Sequence, residues 1–234
     1  MRVPAVVGAL LLATAIAVHP AGAANAPVPG KTSVEDGLLA HKALYTLTLD
    51  SAKSNDVIGS HGTMGYEVTD ACDGWAVRQR LDMTITNADG QNIQMTSDYA
   101  TWEAKNGLTF RYHMRQTTDT AVTSQTDGEA TLQKVGGPGE ARYTEPHDSV
   151  AKLPAGTVFP MAHTAAIIAA AQDKKHFLSL PLFDGTDEKG AEDSFIVLLD
   201  WKPPMQTQWP ILSVLPSTRI HISFFDHGPD SVTP

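Results

Sequence analysis

Hydrophobic and polar residues alternate along most of the chain after residue 40, as they do in half-buried β-strands. The alternation is clearest between Trp75 and Ile85, where apolar side chains fall on one face and Arg78, Arg80 and Asp82 on the other. The same pattern indicates strands at 41–50, 62–71, 92–103 and 108–114, and further strands near 129–135, 142–143, 177–183, 194–201 and 219–225. Strands at this hairpin spacing favour an antiparallel meander. The sequence therefore predicts a mainly β fold.

Turn residues separate the predicted strands. Asn87-Ala88-Asp89-Gly90 is a strong turn signal, and Asn106-Gly107 is the preferred pair for a two-residue type I′ hairpin. A polar strip at 117–126 contains few apolar residues and precedes the strand predicted near 129–135.

One segment, 160–172, has a different composition and reads PMAHTAAIIAAAQ. Its alanine content and its first-position proline predict an α-helix. Because the segment is apolar nearly all round, we expect the helix to be buried. A buried helix against a curled sheet predicts an antiparallel β-barrel that a helix plugs or crosses.

The N-terminus predicts export. A basic start, an apolar run from Val3 to Val18 and small residues at 21–23 are typical of a cleavable signal peptide spanning residues 1–23. The alternative, a membrane anchor, needs about 20 apolar residues to span a bilayer. We therefore predict a flexible leader at 24–37, a single β-barrel-like domain at 38–226, a polar tail at 227–234, and no membrane span after cleavage. Export beyond a Gram-negative inner membrane places the protein in the periplasm.

The charge excludes two classes of partner. The chain has 17 basic and 26 acidic side chains and a formal net charge of −9 at pH 7. Such a surface repels nucleic acid and anionic lipid headgroups.

Candidate chemistry is sparse along the chain. The nine histidines are not spaced as ligand pairs on one element, and Gly30-Lys31-Thr32 lacks the first glycine of a phosphate-binding loop. No Gly-x-Ser-x-Gly motif is present. His163 is the one plausible general base, and the alternative is a buried histidine bonded to a backbone carbonyl. We therefore predict no catalytic, metal-binding or cofactor-binding residue.

Cys72 is the single cysteine of the chain. In an oxidising compartment cysteines usually occur in pairs. The Cys72 thiol is therefore buried and inert, joined to another chain, or without its partner.

Several motifs together resemble the EipB family of periplasmic proteins that maintain cell-envelope integrity. They are Asp70-Ala71-Cys72-Asp73-Gly74-Trp75 with Arg78-Gln79-Arg80, the run Leu153–Pro160 with His163-Thr164, Phe183-Asp184-Gly185-Thr186, Thr101-Trp102-Glu103, and the alternating strand that contains Ala43, Tyr45, Leu47 and Leu49. The likeness extends from about residue 36 to about residue 225.

The resemblance implies a spiral-like antiparallel β-barrel with one inserted helix at 160–172, and no enzymatic activity. It also implies that the cysteine at the position of Cys72 forms a disulfide, in family members, with a second cysteine near their C-terminus. That second cysteine has no counterpart in this sequence. We therefore expect the chain to lack the last strands of the family; a natural variant with a buried free thiol is the alternative. The motifs mark Cys72, Trp75, Phe159, Pro160 and His163 as structural residues.

Three functions remain open from the sequence. The first is a non-enzymatic periplasmic protein that supports the envelope by binding another periplasmic protein or envelope component, with self-association through an open sheet edge. The second is a carrier of lipid or lipidated protein, because large alternating apolar side chains line a cavity as easily as they fill a core. The third is a hydrolase that uses His163.

Overall fold

A computed structural model describes residues 37–52 and 56–227 of the chain. The predicted signal peptide at 1–23, the leader up to residue 36 and the tail from residue 228 lie outside the described residues. The described elements all belong to one compact unit.

Eight antiparallel strands form the larger sheet, and each strand pairs with the next one along the chain. This order is the predicted meander, because short turns join consecutive strands. The strands are β1 (His41–Thr48), β2 (Val57–Asp70), β3 (Gly74–Asn87), β4 (Asn92–Ala104), β5 (Thr109–Thr118), β6 (Ala121–Leu132), β7 (Gly139–Glu145) and β8 (Ser149–Leu153).

A smaller antiparallel sheet contains the last three strands. They are β9 (Phe177–Leu182), β10 (Glu192–Leu198) and β11 (Ile220–Asp226), with β10 in the centre. A parallel bridge between Val158 and Leu182 joins the segment after β8 to β9. The mainly β class is therefore confirmed.

The helix α1 spans Pro160–Gln172, which are the bounds that the sequence predicts. Proline at its first position removes a backbone N–H that would have no partner inside the helix. The side chains of Met161, Ala165, Ile167, Ala170 and Ala171 are buried, as their composition predicts. Ile167 and the last alanines pack against Ile196 and Leu198 of β10.

The core lies on one face of the larger sheet, which carries Trp75, Val77, Phe110 and Tyr112 and is called the inner face below. An aromatic cluster fills it at the β5–β8 end, with ring centroids 5.1 to 6.4 Å apart, and consists of Phe110, Tyr112, Tyr143, Phe159 and Phe183. The opposite strand positions carry solvent-exposed Arg78, Arg80 and Arg111, on what is called the outer face.

Three local predictions are wrong. The strip 117–126 is mostly strand, because β6 already begins at Ala121, and β8 was not predicted at all. The turn at Asn106-Gly107 is not type I′, because that turn needs two positive φ angles and only Gly107 has one, at 68°.

Candidate functional site

The N-terminus of α1 is held by an acidic side chain from β4. The Glu103 carboxylate accepts hydrogen bonds from the backbone N–H groups of Met161 and Ala162, at 2.7 and 2.8 Å. These donors have no acceptor within the helix, and Phe159 at the cap position supplies no side-chain bond. Glu103 is 2 % exposed, so a buried carboxylate takes the place of the usual local cap. The positive end of the helix dipole stabilises its charge.

His163 lies in the same first turn of the helix and faces β10. Its Nε2 atom is 2.9 Å from the Ser194 hydroxyl, and both side chains are buried. Sequence reasoning expected a backbone carbonyl as the partner of a buried His163, so this partner is different. The pair is the one place among the described residues where a histidine ring contacts a serine hydroxyl.

The hydrogen-bond directions show what this pair can do. The Ser194 hydroxyl donates its single proton to the carbonyl of Leu180, at 2.7 Å. Nε2 of His163 therefore carries a proton and donates it to Ser194 Oγ. A general base needs a free lone pair directed at the serine O–H. The arrangement joins α1 to the smaller sheet and does not activate a nucleophile.

Burial lowers the pKa of His163, and this gives a pH prediction. Unfolded histidine titrates near pH 6.5. Below that pH the unfolded chain binds a proton that the folded chain rejects, so the free energy of unfolding falls as the pH decreases from about 6.5 towards the lowered pKa. For a single histidine this slope has an upper limit of about 1.4 kcal/mol per pH unit. Urea unfolding at a series of pH values measures it.

His163→Gln keeps a donor to Ser194 and removes the titration, so we expect a shallower slope in this variant. His61→Gln, a substitution at an exposed position, is the control and keeps the wild-type slope. Equal slopes for all three proteins would show that His163 does not cause the pH dependence of the free energy of unfolding.

Trp75 and Phe159, two of the other structural residues of the sequence analysis, lie near this end of the helix. Trp75 is opposite Glu103 in the β3–β4 register and packs against Met161. Phe159 stacks on Phe110, with ring centroids 5.1 Å apart. Cys72 lies outside the group, in the β2–β3 turn with φ 69°. Its thiol is free and exposed, so the alternative of a buried thiol is wrong.

A shallow groove crosses the outer face above Ala100. The methyl group of Ala100 lies between Arg78 on β3 and His113 on β5, which are its direct cross-strand neighbours. Two adjoining hollows of about 440 and 700 Å³ share these three residues in their walls. Small residues at the centre of a row of long side chains create this depression.

Charged side chains of both signs surround the groove, and most of the arginines among them are paired. Arg111 contacts Glu129 at 2.9 Å and lies over the Trp102 ring, and His113 contacts Asp127 at 2.8 Å. Arg78 is different, because no carboxylate of the described residues lies within 4.0 Å of its guanidinium. It contributes, after the Lys42 hydrogen bond and charge, to lowering the pKa of Glu67.

Within the part of the chain that the structure describes, the inner face of β1–β4 is covered at one end only. Beyond the helix its apolar side chains are half-buried or exposed, in contrast to the fully buried aromatic cluster. In the strand register they form one continuous patch, called the open half, that comprises Tyr45, Leu47, Met64, Leu81, Met83 and Met95.

Sequence reasoning missed Glu103 and Ser194 as functional partners of α1. A signal for Glu103 was present, because it occupies an inner-face position in the alternation of β4, where a charged residue needs a buried partner. Ser194 gave no comparable signal.

Two further properties concern the described part of the chain. It contains no group of three or more histidine, cysteine or acidic side chains placed to hold a metal ion. None of its helices has the length and hydropathy that crossing a membrane requires.

Comparisons with known proteins agree with this architecture. The family model described as EipB-like matches residues 33–234. The cell envelope integrity protein EipB of Brucella abortus (strain 2308) is 29 % identical over 154 residues, which are 64 % of this chain and 54 % of that protein. The match therefore spans about half the length of this curated relative.

A solved structure shows the same fold. It is the crystal structure of a β-barrel-like protein of a domain of unknown function from Brucella abortus, with a TM-score of 0.73, 23 % identity and coverage of 82 % of both chains. This shared fold agrees with the family-model match, which covers residues 33–234. The chain belongs to the EipB-like family.

Proposed function

We propose that this protein is a non-enzymatic periplasmic component that helps to maintain the cell envelope by binding another envelope component. The family relationship and the name of the Brucella abortus relative support the envelope role, and the predicted signal peptide supports the periplasmic location. Neither comparison points to an enzymatic family.

The absence of enzymatic activity in this proposal is supported by the buried His163–Ser194 pair, whose hydrogen bonds are all made within the protein. The hydroxyl proton is used by the Leu180 carbonyl, and the pair is buried away from solvent. A hydrolase would need this hydroxyl at a surface where substrate can approach.

The outer groove supports binding. Arg78 offers a guanidinium without a salt bridge to the described residues, above a floor of small side chains. Arginine forms paired hydrogen bonds with carboxylate and phosphate groups. An anionic group on an envelope component therefore fits this groove.

Deletion of the gene tests the proposal. We expect the deletion strain to be more sensitive to detergents and cell-wall antibiotics, and the wild-type gene to restore tolerance. Arg78→Glu should restore little tolerance, because it reverses the charge in the groove. Arg115→Glu, at an exposed arginine that does not line the groove, should restore it fully. Normal tolerance in a clean deletion would contradict the proposal.

The open half of the inner face favours a second candidate, a carrier of lipid or lipidated protein. Its side chains are apolar, and three of them are flexible methionines that adapt to varied apolar ligands. Native mass spectrometry of protein extracted from membranes should detect a retained lipid if this candidate is right. Protein without bound lipid under the same conditions would contradict the carrier candidate, and the binding of another envelope component would remain as the proposal.

A further inference from the structure

The segment 203–218, called the apolar loop, exposes more large hydrophobic side chains than any of the described strands. It connects β10 to β11 and contains the 3-10 helix Pro210–Leu212. Six of its side chains are exposed by about half or more: Met205, Trp209, Ile211, Leu212, Val214 and Leu215. An apolar patch of this kind marks a contact with a protein or a membrane.

The loop is closed at its base and ordered by its own bonds. The backbones of Lys202 and Ser217 exchange two hydrogen bonds, at 2.7 and 3.0 Å. Within the loop, Ser213 Oγ accepts a bond from the Thr207 N–H, and the Thr207 hydroxyl donates to the Trp209 carbonyl. The apolar side chains therefore project from a turn whose shape is fixed by hydrogen bonds.

The loop offers little polar chemistry to a protein partner. The Thr207 and Ser213 hydroxyls are used within the loop, and no residue from 203 to 218 is charged. The exposed side chains of Gln206 and Gln208 are its main polar groups. Specific protein interfaces usually carry about one hydrogen bond per 100–200 Å² and a polar rim. A bilayer demands the opposite, which is that polar backbone groups are satisfied internally or absent.

The backbone and the flanking residues meet part of that demand. Prolines at 203, 204, 210 and 216 have no N–H group, and the N–H groups of Trp209, Leu212 and Ser213 are bonded within the loop. The nearest charged residues in sequence, Asp200, Lys202 and Arg219, lie at the base. Long basic side chains there reach headgroups while the tip enters the apolar layer.

We infer that the apolar loop inserts into the interfacial layer of a lipid bilayer and docks the protein on a membrane surface. Tryptophan and leucine-type side chains are those that lie at the membrane interface. Because the chain is acidic overall, the attraction is hydrophobic and does not need anionic lipid. This inference rests on the loop alone and does not require the proposed envelope role.

Sedimentation with phosphatidylcholine vesicles tests the inference. Exported protein is used, with its N-terminus verified by intact mass, so that all variants share the same ends. We expect wild-type protein to bind, and to stay bound in high salt, because ion screening does not weaken hydrophobic insertion. Ile211→Asp/Val214→Asp should lower the partition coefficient by about tenfold or more.

The control is Leu44→Asp/Val135→Asp, which places the same charges at positions of equal exposure. Ile211 and Val214 are 77 and 70 % exposed, and Leu44 and Val135 are 77 and 75 % exposed. The control should bind like wild type. A loss of binding in both double variants, or in neither, would overturn the inference.

Fluorescence separates insertion from self-association. Brominated phosphatidylcholine should quench the emission of Trp209, and the quenching should be lost in Trp209→Tyr. Light scattering after size-exclusion chromatography measures the mass of each variant without lipid. Wild-type protein that fails to bind vesicles but forms a dimer, which Ile211→Asp/Val214→Asp makes monomeric, would assign the loop to a second copy and overturn the inference.

Discussion

Replacing Gly185 with alanine is expected to lower the free energy of unfolding by about 4 kcal/mol. Gly185 has φ +73°, and a Cβ atom there would lie 2.3 Å from the Tyr112 ring. Tyr112 is buried among the other aromatic side chains, so its ring cannot move aside without disturbing the whole cluster. Urea unfolding followed by circular dichroism measures the change.

The segment around Gly185 is also fixed by hydrogen bonds. The Thr126 hydroxyl donates to the Gly185 carbonyl at 2.6 Å, and the Tyr99 hydroxyl donates to the Asp184 carbonyl at 2.5 Å. Burial raises the pKa of Tyr99, so its hydroxyl remains a proton donor. A displacement of the backbone that would relieve the clash therefore breaks these hydrogen bonds. Either response of the variant lowers the free energy of unfolding.

Gly90→Ala separates the clash from the backbone cost. Gly90 has φ +76°, nearly the same as Gly185, but a Cβ atom there would meet nothing within 4 Å. We expect this variant to lose about 1 kcal/mol, which is the cost of the left-handed conformation alone. If the two variants lose the same free energy, contact with Tyr112 does not explain the glycine.

The sequence predicted those elements whose local pattern agrees with their packing in the structure. The β1–β4 strands alternate large apolar and polar residues, so their existence and one of their faces follow from the pattern alone. The bounds of α1 follow from Pro160 and from the end of the alanine-rich run at Gln172. In these elements, local composition and tertiary packing agree.

The pattern failed where small or polar residues occupy the inner face. In β6 the inner positions include Ser124, Thr126, Gly128 and Ala130, which leave room for the aromatic rings of neighbouring strands. A strand of this composition does not show apolar alternation, so 117–126 resembled a loop. The packing partner, Tyr112 on β5, becomes visible only when the strands are placed side by side.

The candidate site was harder to predict because its contacts are long-range. Glu103 and Met161 are 58 residues apart, and His163 and Ser194 are 31 residues apart. Periodicity reports on the face of a single element and carries no information on which faces meet. The sequence analysis named Trp75, Phe159 and His163 as structural residues, but it did not name the carboxylate that holds the helix.

Removal of that carboxylate gives the second large effect. Glu103→Ala is expected to lower the free energy of unfolding by about 3 kcal/mol, because two N–H groups at the start of α1 lose their acceptor in a buried site. Water replaces the carboxylate poorly there, since Met161 is 6 % exposed. Glu103→Gln retains one acceptor oxygen and places an NH₂ group against the second donor, so we expect an intermediate loss. Chemical denaturation of the three proteins measures the order.

Glu129→Ala is the matched control for Glu103, because it removes the same side chain from the outer face of the same sheet. Glu129 forms an ion pair with Arg111 while about half exposed, and exposed pairs contribute about 0.5 kcal/mol. A loss confined to Glu103 would show that the sheet stabilises α1 through this carboxylate. Because α1 also positions His163 against Ser194, Glu103→Ala should weaken the pH dependence assigned to His163, whereas Glu129→Ala should not. Equal stability for the two alanine variants would mean that burial of the helix, and not its cap, holds it against the sheet.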